Sequence, residues 1–310
     1  MSTLERFSPL LFLLMWSSGA IFVKLGLEDA SVWVFLAIRS AGAALALLIA
    51  SWLFAWPKWG PGVLKVPLRS VYQAFAIGLV LQVGYQTTYF FSLDKGLAPG
   101  VLAIILGLQP ILTSVFAQDR VDIKGYAILL VGLAGLIIAV VGAREVGSVT
   151  PLGVVYGILS VLAISIGSIL QKRANVQPLA SAFYQTIAAA VVFIALLPLV
   201  PVRLEITAQF VLSATWMILV VSTLAVLLLF YMLTRGAASK VSVLFYMVPV
   251  VTIALDYLVF GTAISLTTLA GASLVVVSVV YFNRMMGQGK QPEAPGASAL
   301  VPKPGSQRPR

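Results

Sequence analysis

The chain has 310 residues, of which 60% are hydrophobic and only 10% carry a charged side chain. A soluble domain carries about 25% charged residues, so this composition excludes an ordinary soluble protein. The chain has no cysteine and no histidine, which excludes disulfides, metal sites built from these residues, and catalysis by either one. The net charge of +10 comes from basic residues scattered between apolar runs and near the C-terminus. That distribution is typical of membrane topology signals and not of a nucleic-acid-binding surface.

Ten apolar runs follow one another along the chain, and each is close to the length that a membrane-spanning helix needs. They cover residues 7–25, 31–55, 70–92, 97–117, 124–142, 151–171, 179–200, 210–232, 240–260 and 264–283. The first run lacks a cleavage site and is expected to be retained as a helix. Residues 287–310 are rich in Gly, Pro, Gln and Lys, so we expect a disordered tail. The sequence therefore predicts an all-α polytopic membrane protein.

Lysine and arginine positions predict the orientation of these spans. With the N-terminus inside the cell, 15 of the 20 basic residues fall on inner segments and four on outer ones, while Arg39 lies within a span. Positive residues concentrate on the cytoplasmic side of membrane proteins. Both termini are therefore expected in the cytoplasm.

Two apolar helices are interrupted by a proline at matching places. The stretch 96–110 ends on Pro110, and the stretch 236–249 ends on Pro249. Aligning the two prolines makes helices 1–5 correspond to helices 6–10. Because five is an odd number, the second half must be inverted relative to the first. Inverted repeats whose broken helices meet near the midplane are typical of secondary transporters, so we expect repeats at 1–146 and 147–286 with the prolines as hinges.

Several motifs follow one another along the predicted helices. Helix 1 reads WSSGAIFVKLGLEDA, and helix 2 contains LAIRSAGAAL. Helix 4 reads GLQPILTSVFA and precedes a glycine-rich helix 5, while helix 9 reads FYMVPVVTIALDYLVFGT. In their order and spacing these motifs resemble the drug/metabolite transporter superfamily, in its ten-helix EamA-type branch. The resemblance implies two inverted five-helix repeats around a central cavity and transport of metabolites, often outward, across the bacterial inner membrane. It also implies a dimer face on helices 5 and 10, the latter with Gly271.

The chain departs from the family pattern after each of these prolines. Family members usually carry a Gly-Glu pair about a dozen residues later, but here Gln118-Asp119 follows Pro110 at a shorter spacing. In the second half Gly261 is followed by Thr262. A role tied to that glutamate is therefore not carried over to this chain.

The clearest polar face lies on helix 3. Gln82, Tyr85, Gln86 and Tyr89 follow the spacing i, i+3, i+4, i+7, which places them on one side of an α-helix. Lipid would reject such a face, so we expect it to point into the bundle. It would then either line a substrate cavity or form interhelical hydrogen bonds.

Arg39 and Asp256 are the ionisable residues furthest inside apolar runs. A charge within a membrane helix is costly and needs a partner or water. Arg39 would attract an anionic substrate group or cap helix carbonyls. Asp256 would carry a coupling proton or reach the outer interface.

Further polar or amphipathic side chains lie near the middle of other spans. Each would line the cavity or only pack: Trp16, Gln109, Tyr184, Gln185 and Tyr246. Gln185 occupies the position in the second half that Arg39 occupies in the first.

The function predicted from these features is a secondary transporter that exports a small metabolite, amino acid or drug-like compound by alternating access. A passive channel or facilitator on the same scaffold is the alternative. A membrane enzyme is disfavoured, because the spans lack a nucleophile with a base. No catalytic residue, metal or cofactor is expected; the partners are the substrate and the lipid bilayer, with coupling to protons or another ion left open.

Overall fold

The computed structural model describes residues 3–53, 64–97, 99–117, 121–142, 149–174, 176–235, 238–260 and 264–288. The tail expected to be disordered, apart from residues 287 and 288, lies outside this part of the chain. So do residues 118–120 and 261–263, on which the two departures from the family pattern rest. The described residues form helices and turns, with one isolated antiparallel bridge between Ala30 and Leu204 and no longer strand.

The helices of the first half occupy the five predicted positions. They are α1 (Thr3–Asp29), α2 (Val32–Leu53), α3 (Leu68–Gly78, Leu79–Gly84 and Tyr85–Asp94), α4 (Pro99–Leu106 and Gln109–Ala117) and α5 (Ile123–Gly142). The middle part of α3 is a π-helix.

The helices of the second half follow the same order. They are α6 (Pro151–Arg173), α7 (Pro178–Leu196), α8 (Ala208–Trp216, Met217–Ala225 and Val226–Arg235), α9 (Ala238–Ser242, Val243–Tyr246 and Met247–Phe260) and α10 (Leu266–Gln288). The middle part of α8 is again a π-helix, and that of α9 is a 3₁₀ turn.

Seven of the described helices are long and apolar enough to cross a membrane, namely α1, α2, α5, α6, α7, α8 and α10. Two shorter apolar helices, Val101–Ala117 and Ala238–Thr252, correspond to α4 and α9. Large apolar side chains are exposed along these helices, including Leu45, Val191 and Val277. Such surfaces are stable in lipid and not in water. The chain is thus an all-α polytopic membrane protein, as predicted.

The breaks in α4 and α9 precede their prolines. In α4 the helix stops at Leu106 and restarts at Gln109, so Pro110 occupies the second position of the new helix. Pro249 occupies the third position of the helix that starts at Met247. The missing N–H of proline has no helical partner in a first turn, so both prolines are placed without loss of a backbone hydrogen bond.

Glycines allow α5 and α10 to pack with their backbones in contact. A Cβ on Gly135 would lie 2.9 Å from the carbonyl oxygen of Gly271, and a Cβ on Gly271 would lie 2.6 Å from the carbonyl oxygen of Gly135. Small residues permit such close approach between membrane helices. The surface that carries Gly271 is therefore occupied by α5 of the same chain, and a homodimer would have to use other faces of these helices.

Capping groups tie the two halves together at one end of the bundle. α3 ends in a Schellman motif, in which Gly96 adopts a φ of 84° and Leu97 N–H bonds to the carbonyl of Ser92 at 3.0 Å. Thr150 caps α6 by accepting from the Gly153 amide, and its hydroxyl donates to the Lys95 carbonyl at 2.7 Å. The start of α6 is thereby fixed to the end of α3.

A second threonine cap joins the loop after α1 to the loop before α8. Thr207 accepts from the Phe210 amide at the start of α8 and donates to Asp29 Oδ2 at 2.6 Å. Backbone hydrogen bonds from Glu205 N–H to Asp29 and from Ser31 N–H to Arg203 extend this contact. We call residues 29–31 and 203–207 the loop clamp. It joins the α1–α2 loop to the α7–α8 loop.

Candidate functional site

A cavity of about 130 Å³ lies between helices of both halves. First-half lining residues are Trp16, Gly19, Val23, Arg39, Tyr85, Gln86, Tyr89, Phe90, Leu102, Ala103, Leu106 and Gln109. The second half contributes Ile164, Met217, Val221, Phe245, Val248, Pro249 and Thr252. A mostly apolar lining with a few polar groups is typical of a site for a small organic molecule.

Arg39 supplies a buried positive charge at the cavity wall. Its side chain is 6% exposed and extends from α2, and its Nε donates to Ser222 Oγ on α8 at 2.5 Å. Among the described residues no carboxylate forms an ion pair with Arg39, and the described lining contains no acidic residue. The guanidinium is thus oriented through Nε, while its terminal nitrogens have no hydrogen-bond acceptor in the described part of the chain.

Two glutamines present unpartnered amide groups to the cavity. Gln109 is 1% exposed, and neither its Nε2 nor its Oε1 has a hydrogen-bond partner in the described part of the chain. Gln86 donates through Nε2 to Gln82 Oε1, but its own Oε1 has no partner among the described residues. Buried polar groups in folded proteins are nearly always hydrogen-bonded, so unpartnered amides that face a cavity indicate a place where a ligand or water binds.

The break in α4 explains the position of Gln109. It is the first residue of the restarted helix, next to Pro110, which is buried but not a lining residue. A Cβ on Gly107 would meet Leu136 Cδ2 at 2.5 Å, so the turn before Gln109 lies directly against α5. The glycine permits this close approach at the break in α4, and the helix that restarts there carries Gln109 at the cavity.

The π-helix of α3 separates the predicted polar face into two parts. The N–H of Tyr85 bonds to the carbonyl of Val80, five residues earlier, which widens the turn. Tyr85, Gln86 and Tyr89 line the cavity, whereas Gln82 is buried beside it and contacts it only through Gln86. An α-helical spacing alone would have placed all four side chains together.

Aromatic rings form the floor of the cavity. Trp16 on α1 and Phe245 on α9 meet edge to face with ring centroids 5.6 Å apart, and Phe12 lies 5.2 Å from Trp16 and 5.5 Å from Phe245. Phe12 is fully buried in an apolar cluster that includes Leu13 and Phe230. The floor is thus continuous with the apolar core of the protein.

Three other predicted lining residues lie away from the cavity and have protein partners. Tyr246 is fully buried, and its hydroxyl donates to the Leu129 carbonyl at 3.0 Å. Gln185 Nε2 donates to Gln171 Oε1 at 2.6 Å and to Ser181 Oγ at 2.9 Å. The Tyr184 hydroxyl donates to the Leu64 carbonyl at 2.8 Å. The structure gives these side chains packing and hydrogen-bonding positions.

Two predicted residues lie on α9, Pro249 and Asp256, and the structure describes the side chain of Pro249 only. Pro249 lines the cavity together with Thr252. The backbone of Asp256 lies four residues beyond Thr252 in the helix Met247–Phe260, while its side chain is outside the described part of the structure.

Three residues that help to form the cavity or to orient its side chains were not predicted from the sequence. Ser222 orients Arg39, Phe245 completes the floor, and Thr252 donates to the Ser17 carbonyl at 3.4 Å at the α1–α9 contact. A serine or threonine within an apolar run is common, so no pattern separates these from packing residues. Phe245 had one usable signal, its position directly before Tyr246 and four residues before Pro249.

The described residues offer no metal site. No group of three or more Asp, Glu, His or Cys side chains lies together in the described ranges. The polar groups of the described lining are one guanidinium, two amides, two phenols, an indole and the hydroxyl of Thr252. These groups can bind an organic molecule by charge, hydrogen bonds and stacking.

Comparisons with known proteins agree with this architecture. Residues 151–284 match the EamA-like transporter family. The chain is 24% identical over 296 residues to the "Uncharacterized transporter YvbV" of Bacillus subtilis (strain 168), covering 87% of this chain and 88% of that protein. A solved structure named only "Crystal structure of protein" is similar in fold, with a TM-score of 0.75 and 19% identity over 91% of this chain and 98% of that one. These findings confirm the expected resemblance to EamA-type transporters of the drug/metabolite transporter superfamily.

Proposed function

We propose that the protein is a secondary transporter that moves a small organic molecule across the bacterial inner membrane by alternating access. The observation that carries the proposal is the cavity itself. It lies between the two halves of the chain, and its lining residues Gln109 and Gln86 carry buried amide atoms that have no hydrogen-bond partner among the described residues. No catalytic machinery is part of the proposal, because the described cavity holds no nucleophile paired with a base.

The packing of the helices supports two inverted five-helix repeats, residues 1–146 and 147–286. If each helix is replaced by its equivalent in the other half, five positions along the chain, the main helix pairs map onto one another. The pair α3–α6 corresponds to α8–α1, α4–α6 corresponds to α9–α1, and α3–α7 corresponds to α8–α2; the helices of each of these pairs are in contact. Three further contacting pairs consist of a helix and its own equivalent, namely α5–α10, α2–α7 and α4–α9. This is the contact pattern of a pseudo-twofold axis.

The π-helices give independent support for the repeat. With Pro110 aligned on Pro249, residues 79–84 of α3 fall on residues 218–223 of α8, inside Met217–Ala225. π-Helical turns are rare in proteins, so two of them at equivalent positions favour a common origin of the halves. Arg39 and Gln185 are likewise each the eighth residue of their helix.

The distribution of open and packed regions supports alternating access. Cavity residues lie toward the ends of α1 and α3 and the starts of α2 and α8, which the predicted topology places on the outer side. The opposite end is filled by an apolar cluster that includes Phe12, Phe230 and Leu233. In one state of an alternating-access cycle the binding site is open toward one side of the membrane, while packed side chains close the other side.

The same packing disfavours a passive channel. A channel conducts through a continuous path, and the ring contacts of Trp16 and Phe245 together with the apolar cluster around Phe12 favour a cavity that does not continue through the bundle. Export of an unidentified metabolite, with both termini in the cytoplasm and a proton or other ion as the driving force, completes the proposed function.

Metabolite profiling tests the proposal and does not require that the substrate be known. Culture media of cells that lack the protein and of cells that overproduce it are compared, together with cells producing Gln109→Leu. The proposal expects at least one compound that accumulates outside only when wild-type protein is present. Gln73→Leu, which changes an exposed glutamine on α3, is the matched control. Equal media in all strains, with all variants present in the membrane at equal amounts, would contradict the proposal.

A further inference from the structure

The two walls of the cavity have different chemistry, and this difference indicates a class of substrate. We propose that the cavity binds an organic anion whose carboxylate lies against Arg39 and whose apolar or aromatic body lies against the wall formed by the second half. The inference deepens the proposed transport function by naming the class of molecule that the same site takes.

The charge of the cavity is of one sign. Arg39 is the cationic lining residue, and the described lining contains neither aspartate nor glutamate. A buried charge is stable only when it is paired or solvated. The protein partner of Arg39 in the described chain is the neutral hydroxyl of Ser222. A bound anion would supply the missing counter-charge.

The geometry of Arg39 suits a carboxylate. Since Nε donates to Ser222 Oγ, the guanidinium plane is held in one orientation and its terminal nitrogens remain for a ligand. Guanidinium and carboxylate groups pair through two parallel hydrogen bonds, which gives directional as well as electrostatic selectivity. Tyr85 and Tyr89, which line the cavity on α3, carry hydroxyls that can complete the surroundings of the anion.

The opposite wall suits the apolar part of such a molecule. Second-half lining residues include Ile164, Met217, Val221 and Val248, and the floor is formed by Trp16 and Phe245. Among the second-half lining side chains, Thr252 alone carries a polar group within the described chain. A molecule with one charged end and an apolar body matches this division. The amide of Gln109 and the amide oxygen of Gln86, which have no partner among the described residues, can form hydrogen bonds with the part of the ligand between its two ends.

A series of ligands with one body and different charges tests the proposal. Phenylacetate, phenylalanine, phenylacetamide and phenethylamine share a benzyl group and carry an anionic, zwitterionic, neutral and cationic end. Their binding to the purified full-length protein in detergent is measured by isothermal titration calorimetry. We expect phenylacetate to bind about tenfold more tightly than phenylacetamide, which corresponds to about 1.4 kcal/mol. Phenylalanine should bind less tightly than phenylacetate, and phenethylamine least. Equal binding of the four, no binding of any, or tighter binding of the zwitterion or cation would overturn the proposal.

Substitutions of Arg39 locate the effect in the cavity. Arg39→Gln should abolish the preference for phenylacetate over phenylacetamide, and Arg39→Lys should keep part of it because the charge remains. Arg69→Gln, at an exposed arginine in the first turn of α3, should leave the preference unchanged. Because the ligand series is measured on wild-type protein, a variant that fails to fold does not remove the test. A preference that persists in folded Arg39→Gln would contradict the assignment.

The experiment separates this inference from the transport function. Charge-selective binding without flux in proteoliposomes would support the anion site and contradict the transporter. Flux of a substrate without any preference for the anion would support the transporter and overturn the anion site.

Discussion

Arg39 on α2 donates a hydrogen bond of 2.5 Å from its Nε to Ser222 Oγ on α8, and this bond is one of those that join the two halves of the chain. Ser222 lies within the π-helix Met217–Ala225, so the hydroxyl is held by an irregular part of α8. The cation of the first half is therefore oriented by the second half. A movement of α8 relative to α2 would change the direction of the guanidinium, which couples the charge in the cavity to the arrangement of the repeats.

Ser222→Ala tests this positioning. Loss of the hydrogen bond frees the guanidinium, so we expect affinity for phenylacetate to fall roughly three- to tenfold while Arg39 keeps its charge. Ser213→Ala is the matched control, because Ser213 is fully buried on the same helix and its hydroxyl has no partner. Calorimetric titration of both variants makes the comparison. Equal affinities would show that Ser222 does not position Arg39.

Gln109 and Gln185 should respond in opposite ways to the same substitution. Gln109→Leu removes an amide that has no hydrogen bond, so the thermal midpoint of the purified protein should be unchanged or raised while transport is lost. Gln185→Leu breaks the bonds to Gln171 and Ser181 and should destabilise the protein by about 1–3 kcal/mol.

Thermal unfolding in detergent and cellular export are measured for both variants. A Gln109→Leu protein that unfolds earlier but still exports would assign this amide to structure and not to the substrate.

The loop clamp offers a test of alternating access, because the chain has no cysteine of its own. Thr207 Oγ1 and Asp29 Oδ2 are 2.6 Å apart, so cysteines at both positions can approach one another. If the clamp opens during the cycle, oxidation of Asp29→Cys/Thr207→Cys should stop export, and a reducing agent should restore it.

Each single cysteine variant controls for the substitutions. Unchanged export by a protein that is fully cross-linked on a gel would show that these loops stay together throughout the cycle.

Asp256→Asn tests the proposed coupling role of this acid. Its backbone lies one turn beyond Thr252 on the helix that lines the cavity. An aspartate that carries the proton must change its protonation during the cycle, whereas asparagine cannot. We therefore expect the variant to exchange substrate without responding to an imposed pH gradient.

Asp94→Asn, at an exposed carboxylate paired with Lys95, is the control and should keep the response. A pH dependence of transport that is the same in Asp256→Asn and wild type would remove Asp256 as the proton carrier.

Much of the architecture follows from the sequence, because a chain that crosses hydrocarbon must satisfy its backbone hydrogen bonds internally, and apolar runs of this length indicate helices. The interruptions near Pro110 and Pro249 were also visible. The π-helix of α3 was not, since neither proline nor charge marks it, and it turns Gln82 away from Tyr85 and Tyr89.

The partners of buried polar side chains could not be predicted either. The Tyr246 hydroxyl donates to the carbonyl of Leu129, which lies 117 residues away in the sequence, and Gln185 Nε2 donates to Gln171 Oε1 on the neighbouring helix. Whether a polar group lines a cavity or satisfies a backbone carbonyl depends on such tertiary neighbours. Gln109 differs from Gln185 because neither of its amide atoms has a partner among the described residues, whereas Gln185 donates through Nε2.

Flux in proteoliposomes tests the central claim most directly. The purified protein is reconstituted with a compound that profiling identifies, and a proton gradient is imposed. We expect accumulation against the concentration gradient of that compound, which collapses when a protonophore dissipates the proton gradient. Equilibration at one rate with or without the gradient would contradict a coupled transporter and leave a passive facilitator.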